Sequence, residues 1–351
     1  MESREDEDEK STAVTRSRLT TLLQATLPMD QVVYAFGYGS GVFSQRMDND
    51  DIVEQQQQKE TKVVDMIVVV KDDLAFHRAN FALNPSHYWV PPLVSDVAAW
   101  CTWWQRHHPQ AWLGRNPGLY FLLTEKLKYG VVQVDDLQED LQHWKYLYMA
   151  GRMQKPVLTL IDDDDTKLTA NNAMTIHNLQ QTINLPAALA SALLLLSKDK
   201  HCANQPQQAL STEVYQQIAA LSYLGDFRVS YGAEDPQKVT RLVEGPGQLE
   251  RFVALYADAT SVLQEKGILS CSNETSTKLD SSQWTWDASP SAQEFLRQQL
   301  PLDVSPNLRA QLAGIVAPSA RYQSFKGIVT AGPQKAWKYA ARKLAKGFLR
   351  C

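Results

Sequence analysis

The chain has 351 residues, enough for one large domain or two ordinary ones, and its 44% hydrophobic content is typical of a protein with a buried core. The formal net charge is −4, from 35 basic and 39 acidic side chains, which excludes the overall basic footprint of a nucleic-acid-binding protein. The 4 cysteines contain no Cys-x-x-Cys pair, so we expect reduced thiols rather than a zinc site or a disulfide framework.

The two ends of the chain carry opposite charge. Residues 1–10 contain six acids and two bases, and we expect the N-terminal extension, residues 1–28, to begin disordered and then become helical. Such an acidic start is unlike an ordinary mitochondrial presequence, which is basic. The last 19 residues, Pro333–Cys351, contain six bases and no acid. This asymmetry predicts a membrane or partner contact at the C-terminal end.

A glycine-rich turn after a predicted strand is the most informative motif. Residues 34–43 are typical of a strand that passes through Gly39, Ser40 and Gly41 into the first turn of a helix. Glycines let a backbone approach phosphate oxygens, while a serine and a helix N-terminus supply hydrogen-bond donors and partial positive charge. The motif lacks the spacing of a Walker A loop. Without further residues it also fits an ordinary turn between a strand and a helix.

An acid on the next predicted strand favours phosphate binding. A polar loop, Met47–Lys62, separates the turn from the strand Val64–Val70, in which Asp65 lies near the start. A carboxylate beside such a turn is suited to hold the Mg²⁺ that bridges the phosphates of a nucleoside triphosphate. This layout resembles that of nucleotidyltransferases related to DNA polymerase β. Their common second acid is replaced here by Ile67, so further metal ligands would come from elsewhere.

The rest of the first predicted domain, residues 29–165, alternates strands and helices. Leu119–Lys126 and Tyr129–Val134 are typical of strands, and Leu137–Met153 is typical of one amphipathic helix. The acidic run Asp162–Asp165 lacks the ligand pattern of an EF-hand and is predicted to be a solvated loop.

Residues 166–332 are predicted to form a second, mostly helical domain. Its most apolar run, Leu185–Leu196, is shorter than the roughly 20 residues that cross a bilayer and is expected to be a buried helix. Leu249–Glu265 is typical of another helix. The stretch Ser270–Ser291 is rich in Ser and Thr and is predicted to be a linker or flexible loop.

The last predicted element, residues 333–351, is a basic amphipathic helix. With about 100° of rotation per residue, Trp337, Leu344 and Phe348 lie on one side of this helix. Lys338 and Arg342 lie on the opposite side with other bases. A helix of this type binds reversibly to an anionic membrane surface. The alternative is a terminal helix that docks on the core and exposes a solvated basic face.

Motifs from residue 32 to the C-terminal end resemble, in order, those of one family. It is the mitochondrial translocator assembly and maintenance family, the soluble-type phosphatidate cytidylyltransferases. Each motif alone is common, whereas the set is specific. The matching residues are His77 and the segments Tyr38–Gln45, Val64–Ile67, Asn84–Tyr88, Lys128–Val132, Leu147–Val157, Ala220–Arg228, Glu234–Val239 and Gln323–Gly332.

The resemblance implies an α+β fold and a specific reaction. The fold would combine a polymerase-β-like nucleotidyltransferase domain, a helical winged-helix-like domain and the C-terminal helix. The reaction would convert CTP and phosphatidate into CDP-diacylglycerol, a precursor of cardiolipin, and pyrophosphate, with Mg²⁺ as cofactor. The protein would lie peripherally on the matrix side of the inner mitochondrial membrane.

The resemblance also implies roles for individual residues. Lys128 would act in catalysis with Asp65, and Arg152 and Lys155 would bind the phosphates, because two anions must be brought together and any of these three cations can hold a phosphate. The alternative for all three cations is ordinary surface pairing with acids. Asp226 would complete the metal shell or orient the arginine that follows, although a structural ion pair or a helix cap fits it equally well.

For five further residues the resemblance implies no definite role in the reaction. His77 and His87 are expected to satisfy buried hydrogen bonds rather than to contact nucleotide. Glu234 and Lys238 fit either a site or an ordinary surface. Asn116 belongs to an Asn-Pro pair that the family carries, but here an arginine precedes it, so a nucleotide contact by this residue is not implied.

Two other functions stay open at this level. A polymerase-β-like core can transfer a nucleotide to RNA, a protein or a small molecule, and RNA would require a basic surface near the site. A non-catalytic assembly or scaffold protein is the second alternative, favoured by the missing second acid and opposed by Gly39, Ser40, Asp65 and Lys128. Binding of CTP without turnover would separate the scaffold from the enzymes.

Overall fold

The computed structural model describes residues 2–43, 63–107, 112–161, 167–197, 206–230, 237–272 and 282–331. Several predicted features lie outside these residues and stay predictions. They are the polar loop Met47–Lys62, the run Asp162–Asp165, Glu234, and the helix 333–351 with its proposed membrane residues Trp337, Lys338, Arg342, Leu344 and Phe348.

A five-stranded mixed sheet organises the first half of the chain, in the order β3-β4-β2-β1-β5. Strand β2 pairs with β4 in parallel and with β1 antiparallel. Almost every residue of β1 and β2 is buried, as expected for apolar central strands that are covered on both faces. The strands are β1 (Val32–Tyr38), β2 (Val64–Val70), β3 (Leu119–Leu123), β4 (Leu127–Gln133) and β5 (Leu158–Ile161).

Helices cover both faces of this sheet. One face packs against α1, α2 and α3, whose buried residues form one core cluster with Val68, Val70 and Tyr129. The other face packs against α4 and α6 and forms a second cluster with Phe36 and Ile67. The helices are α1 (Glu2–Thr26), α2 (Asp73–Leu83), α3 (Val97–Arg106), α4 (Val134–His143), the short α5 (Ala150–Met153) and α6 (Lys167–Leu179).

The prediction that the N-terminal extension begins disordered is wrong, because the backbone is helical from Glu2 onward. The second half of α1 belongs to the core, because Leu19 and Leu23 are buried with the sheet residues. The Thr20 hydroxyl also donates to the carbonyl of Leu160 on β5, at 2.9 Å. This helix therefore covers one edge of the sheet.

The second half of the chain surrounds a three-stranded antiparallel sheet, in the order β6-β8-β7. The strands are β6 (Gln207–Leu210), β7 (Leu269–Ser272) and β8 (Gln283–Trp286). The helices are α7 (Leu185–Leu196), α8 (Ser211–Leu221), α9 (Phe227–Ser230), α10 (Lys238–Glu244), α11 (Gln248–Leu255), α12 (Ala257–Glu265), α13 (Pro290–Gln298) and α14 (Leu308–Ala331). The chain is thus a mixed helix and sheet protein, as predicted.

Two predicted segments differ from the structure. The expected linker Ser270–Ser291 contains most of β7 and all of β8, because Trp284 and Trp286 are buried and alternate with polar residues. The expected single helix Leu249–Glu265 is interrupted at Tyr256, so α11 and α12 are separate helices. In β8 the alternation of buried indole rings with polar residues favours a strand.

The predicted helix over Leu137–Met153 is also wrong, because α4 ends at His143. The fully buried carboxylate of Asp140 accepts hydrogen bonds from five backbone N–H groups, those of residues 146–150, at 2.8 to 3.0 Å. Trp144 and Leu147 take left-handed backbone conformations, each with a φ of 50°. A buried acid thus pulls the chain into a tight loop before α5.

Helix α7 is buried over most of its length, as predicted. Together with α6 and a π-helical turn, Gln180–Asn184, it forms a continuous helical segment. Among the described residues, Asn171–Leu196 is long and apolar enough to cross a membrane, but 56% of its most apolar window is buried inside the protein. That burial fits a core helix. The core cluster on this face runs through both predicted domains, whose boundary stays a prediction.

Candidate active site

The predicted glycine turn follows β1 directly. Gly39–Gly41 forms one 3₁₀ turn, and Ser40 is exposed. Gly39 has a φ of 76°, which a side chain rarely tolerates, and a Cβ at Gly41 would lie 2.9 Å from the carbonyl oxygen of Val63. The glycines therefore allow this turn to pack closely against the start of β2. Any helix that continues past Phe43 lies outside the described residues.

Strand register brings the predicted acid and the predicted lysine together. Asp65 pairs with Tyr38 across β1 and β2, and with Lys128 across β2 and β4. The Lys128 ammonium nitrogen lies 3.2 Å from a carboxylate oxygen of Asp65. The side chains of Asp65 and Lys128 are 36% and 32% exposed, so a ligand can reach both.

Arg152 contacts the rings of Tyr38 and Tyr148. Its guanidinium carbon is 5.3 Å from the centre of the Tyr38 ring and 4.1 Å from that of Tyr148, and it donates to the Tyr148 carbonyl at 2.5 Å. Burial raises the pKa of the Tyr38 hydroxyl, and Arg152, Asp65 and Lys128 all act on it electrostatically. Tyr38 therefore lies close to both Arg152 and the Asp65–Lys128 pair.

Lys155 extends this line of cations toward the second half of the chain. Its ammonium donates to the carbonyl of Gly151 and to the Ser222 hydroxyl, the latter at 2.8 Å. Lys155 and Lys238 also lie over the same ring, that of Tyr223, at 5.4 and 4.9 Å. Burial, followed by the charges of Arg152 and Lys238, lowers the pKa of Lys155 to about 7.

The approach of Lys155 to Ser222 depends on a glycine and on strand pairing. A Cβ at Gly151 would lie 2.4 Å from the Cβ of Ser222, so only glycine lets α5 pack against the end of α8 here. The register of β5 against β1 pairs Leu158 with Gly37, just before the glycine turn. The predicted phosphate-binding residues therefore lie at one end of the first sheet, beside α8.

Asp226 forms an ion pair rather than an open carboxylate site. It is buried, and its oxygens accept from the Arg228 side chain at 2.6 to 3.1 Å and from the Arg228 N–H at 3.0 Å. Burial opposes ionisation of Asp226, but the Arg228 pair outweighs it, so the pKa of this carboxyl lies below its ordinary value. Orientation of Arg228 is the role that this geometry supports.

Comparisons with known proteins identify the family of this chain. The family model described as mitochondrial phosphatidate cytidylyltransferase matches residues 19–314 and 303–346. The chain belongs to this family. The membership confirms the resemblance drawn from the motifs and assigns the chain to an enzyme family of the nucleotidyltransferase class.

Individual relatives carry the same name, "Phosphatidate cytidylyltransferase, mitochondrial". A protein of Caenorhabditis briggsae is 29% identical over 350 residues, which are 92% of this chain and 97% of the relative. One of Xenopus laevis is 31% identical over 91% of each chain, and one of Rattus norvegicus is 29% identical over 89% of each. The similarity therefore extends over nearly the whole length of these family members.

The two histidines of the family motifs lie in a polar network beneath the sheet. His77 is fully buried, with its ring nitrogens 3.1 Å from the Tyr88 hydroxyl and 3.0 Å from the side-chain oxygen of Gln105. Burial lowers the pKa of His77 to about 4, so this ring is neutral at pH 7. His87 lies 2.8 Å from the Tyr129 hydroxyl. These contacts agree with the structural role predicted for both histidines.

Asn116 is also structural. It is buried, and its amide nitrogen donates to the carbonyls of Gln105 and His107 at 2.8 and 2.7 Å at the end of α3. Its amide oxygen accepts from the buried Lys326 at 2.9 Å. The Asn-Pro pair of the family therefore joins α3 to α14.

Sequence reasoning missed Asp140, which positions the loop that leads to Arg152. Its signal was a lone acid on the apolar face of α4, between Leu137 and Leu141. It also missed Tyr38 and Tyr223, whose rings lie against the site cations. Both tyrosines were inside matched motifs, but tyrosine is so common in protein cores that the residue type gave no indication of a site.

Proposed function

We propose that this chain transfers the cytidylyl group of CTP to the phosphate of phosphatidate. The observation that carries the proposal is the convergence of the Gly39–Gly41 turn, Asp65, Lys128, Arg152 and Lys155 at one end of the sheet. A phosphate-binding turn, a carboxylate and several cations are what a reaction between two anions needs. The names of the relatives supply the two substrates.

In the proposed reaction a phosphate oxygen of phosphatidate forms a bond with the α-phosphorus of CTP. The bond between that phosphorus and the oxygen bridging to the β-phosphate breaks, and pyrophosphate leaves with the electron pair. The acceptor is already an anion near neutral pH, so the protein needs no strong general base. Positioning and neutralisation of charge supply most of the catalysis.

Each site residue has one proposed task in this reaction. The backbone of the glycine turn and Ser40 bind the triphosphate of CTP. Arg152 and Lys155 neutralise the charge that the two substrates bring together. Lys128, beside Asp65, neutralises charge on a phosphate in the same way. Asp226 acts indirectly, by holding Arg228.

Asp65 is the residue that we propose to hold Mg²⁺. Among the described residues no group of three or more His, Cys, Asp or Glu side chains is arranged to bind a metal. Magnesium fits this site nevertheless, because it commonly binds through one or two carboxylates, substrate phosphates and water. When bound, the ion would neutralise charge on the phosphates.

We further propose the finer features of fold and location. The five-stranded sheet with its helices corresponds to a polymerase-β-like nucleotidyltransferase domain, and the three-stranded sheet with α8 to α13 to a winged-helix-like domain. The protein would bind peripherally to the matrix face of the inner mitochondrial membrane through residues 333–351. Its product would feed cardiolipin synthesis.

The test is transfer of a label from CTP, radiolabelled at the α-phosphate, into lipid. Purified full-length protein is incubated with Mg²⁺ and phosphatidate liposomes, and the lipid fraction is analysed for CDP-diacylglycerol. Asp65→Asn should abolish the product without loss of folding. Asp303→Asn, which changes an exposed acid far along the chain, is the matched control and should leave activity unchanged.

Two results would contradict the proposal. Binding of CTP without product, under varied metals and lipids, would favour the scaffold function. Transfer of the label to RNA or protein instead of lipid would favour a different acceptor.

A further inference from the structure

An exposed aromatic surface lies away from the candidate active site. It consists of Trp103, Trp112, Phe325 and Ile328, whose exposed fractions are 50, 74, 41 and 62%. Large exposed apolar patches are uncommon on soluble proteins and usually mark an interaction. Two of these residues are tryptophans, whose amphipathic rings prefer the boundary between water and lipid.

Trp103, Trp112 and Phe325 of the aromatic surface line an open pocket of about 240 Å³. Trp103 stacks on His107 with ring centres 4.2 Å apart, and it meets Trp104 edge-on at 5.1 Å. Trp104 in turn lies 6.5 Å from the ring of Phe325. Helix α3, the segment at Trp112 and helix α14 therefore contribute to one continuous apolar surface.

Buried contacts hold this surface in place. Lys326 is 1% exposed, and its ammonium donates to the Trp104 carbonyl at 3.2 Å and to Asn116 at 2.9 Å. Gln323 donates to the Leu119 carbonyl on β3 at 3.1 Å. These hydrogen bonds fix one side of α14 against the protein, so its opposite side must face outward.

We infer that the aromatic surface is a membrane-docking face that contacts an anionic lipid bilayer. Beyond Ala331, the end of α14, the chain continues into residues 333–351, which carry six bases and no acid. Ile328 lies within one helical turn of that end, so basic charge and an exposed apolar side chain are adjacent along the chain. This combination matches a bilayer with anionic headgroups above an apolar interior.

The aromatic surface anchors the protein and does not form part of the active site. Leu119, beside α14, pairs with Val132 on β4, whereas Asp65 pairs with Lys128. Along β4 these positions are separated by about 13 Å, at roughly 3.3 Å per residue. Loss of the rings should therefore weaken binding to membranes but not the turnover of a water-soluble acceptor.

The experiment compares the full-length protein with Trp103→Ala/Trp112→Ala. Co-sedimentation is measured with liposomes of phosphatidylcholine containing phosphatidate, without CTP. We expect the partition coefficient of the double variant to fall by about tenfold or more, since two exposed indoles no longer enter the interface. Met174→Ala, which removes a side chain that is 72% exposed on α6, is the matched control and should bind like the parent.

A second readout separates this inference from the proposed function on which its choice of lipid rests. With dioctanoyl phosphatidate as monomers in solution, the double variant should keep the turnover of the parent, whereas with liposomes it should lose most of it. Weakened liposome binding in a protein that never forms CDP-diacylglycerol would uphold the docking face and refute the enzyme. Unchanged liposome binding would overturn the inference. A monomer–dimer equilibrium lost in the double variant would also overturn it, because a second copy would then be the partner.

Discussion

Lys155 and Lys326 have nearly the same contacts in two distant parts of the molecule. Each ammonium donates to one backbone carbonyl and to one neutral side-chain oxygen, that of Ser222 or Asn116. Each also lies over a tyrosine ring, at 5.4 and 5.2 Å. Burial lowers the pKa of both lysines.

The difference between the two lysines lies in what surrounds them. Lys326 is buried between α14 and α3, and the protein supplies both acceptors for its hydrogen bonds. Lys155 keeps partial exposure and lies among other cations, including Arg152 and Lys238. A cluster of partly exposed cations is stabilised when an anion binds. A lowered pKa therefore does not mark a functional lysine unless its neighbours and its accessibility agree.

Substitutions of the two lysines should have the largest predicted effects, one on turnover and the other on stability. Lys155→Ala should lower turnover about 10²- to 10³-fold, the usual loss for one charge-stabilising donor, with little change in stability. Lys326→Met should lower the free energy of unfolding by about 2–4 kcal/mol, because Asn116 and the Trp104 carbonyl lose a buried donor. Turnover per folded Lys326→Met molecule should stay near that of the parent. Initial rates and urea unfolding of both variants measure this, and equal losses of turnover would contradict the contrast.

Asp140→Asn should have the next largest effect, and it tests how the Lys155 region is held. An amide presents an N–H₂ group where the carboxylate accepts backbone N–H groups, so the loop before α5 loses partners. We expect the free energy of unfolding to fall by about 2–4 kcal/mol. Turnover should fall about tenfold, because Arg152 loses its position. Urea unfolding and steady-state rates below the transition provide the measurement. A variant that is destabilised but retains the parent kcat would limit Asp140 to a purely structural role.

The pH dependence of CTP binding sharpens the same comparison. With a pKa of about 7, Lys155 is charged below pH 7 and must take up a proton to pair with a phosphate above it. Affinity for CTP should therefore fall as pH rises above 7, by up to about tenfold per unit until the pKa of the complex is reached. Calorimetric titrations from pH 6.5 to 8.5 measure how the affinity for CTP changes with pH. In Lys155→Arg, which stays charged, this change should be much smaller. The same change as in the parent would assign the pH dependence to another group.

Asp226→Asn should have the smallest effect of this set. If Asp226 acts only through Arg228, the amide keeps one acceptor for the guanidinium, and we expect turnover to fall less than about tenfold. The turnover of Asp226→Asn should depend on Mg²⁺ concentration as that of the parent does. A raised Mg²⁺ requirement would instead make Asp226 a metal ligand, the other role predicted from the sequence.

The sequence predicted which residues lie close together better than it predicted the local structure around them. Glycine spacing and one acid near the start of a strand were enough to place Asp65 beside the turn, because strand register follows from apolar periodicity. The family motifs identified Lys128, Arg152 and Lys155, but not which of their neighbours they contact. Those contacts depend on pairings across the fold, such as Gly151 against Ser222, which no local pattern specifies.

The mispredicted segments have specific physical causes. The helix expected over Leu137–Met153 has the right periodicity, but Asp140 competes for the backbone N–H groups that would continue it. The Ser- and Thr-rich composition of Ser270–Ser291 indicated a loop, whereas the alternation of Trp284 and Trp286 stabilises a strand. In both segments a few buried side chains outweighed the periodicity or composition of the surrounding sequence.

A crystal structure of the protein with CTP and Mg²⁺ would test the proposed site most directly. We predict that the triphosphate lies within hydrogen-bond distance of the Gly39–Gly41 backbone, with Mg²⁺ on Asp65 and the Lys155 ammonium paired to a phosphate oxygen. Lys326 should keep its contacts to Asn116 and Trp104. A nucleotide bound elsewhere, with Asp65 and Lys155 unchanged, would contradict the assignment.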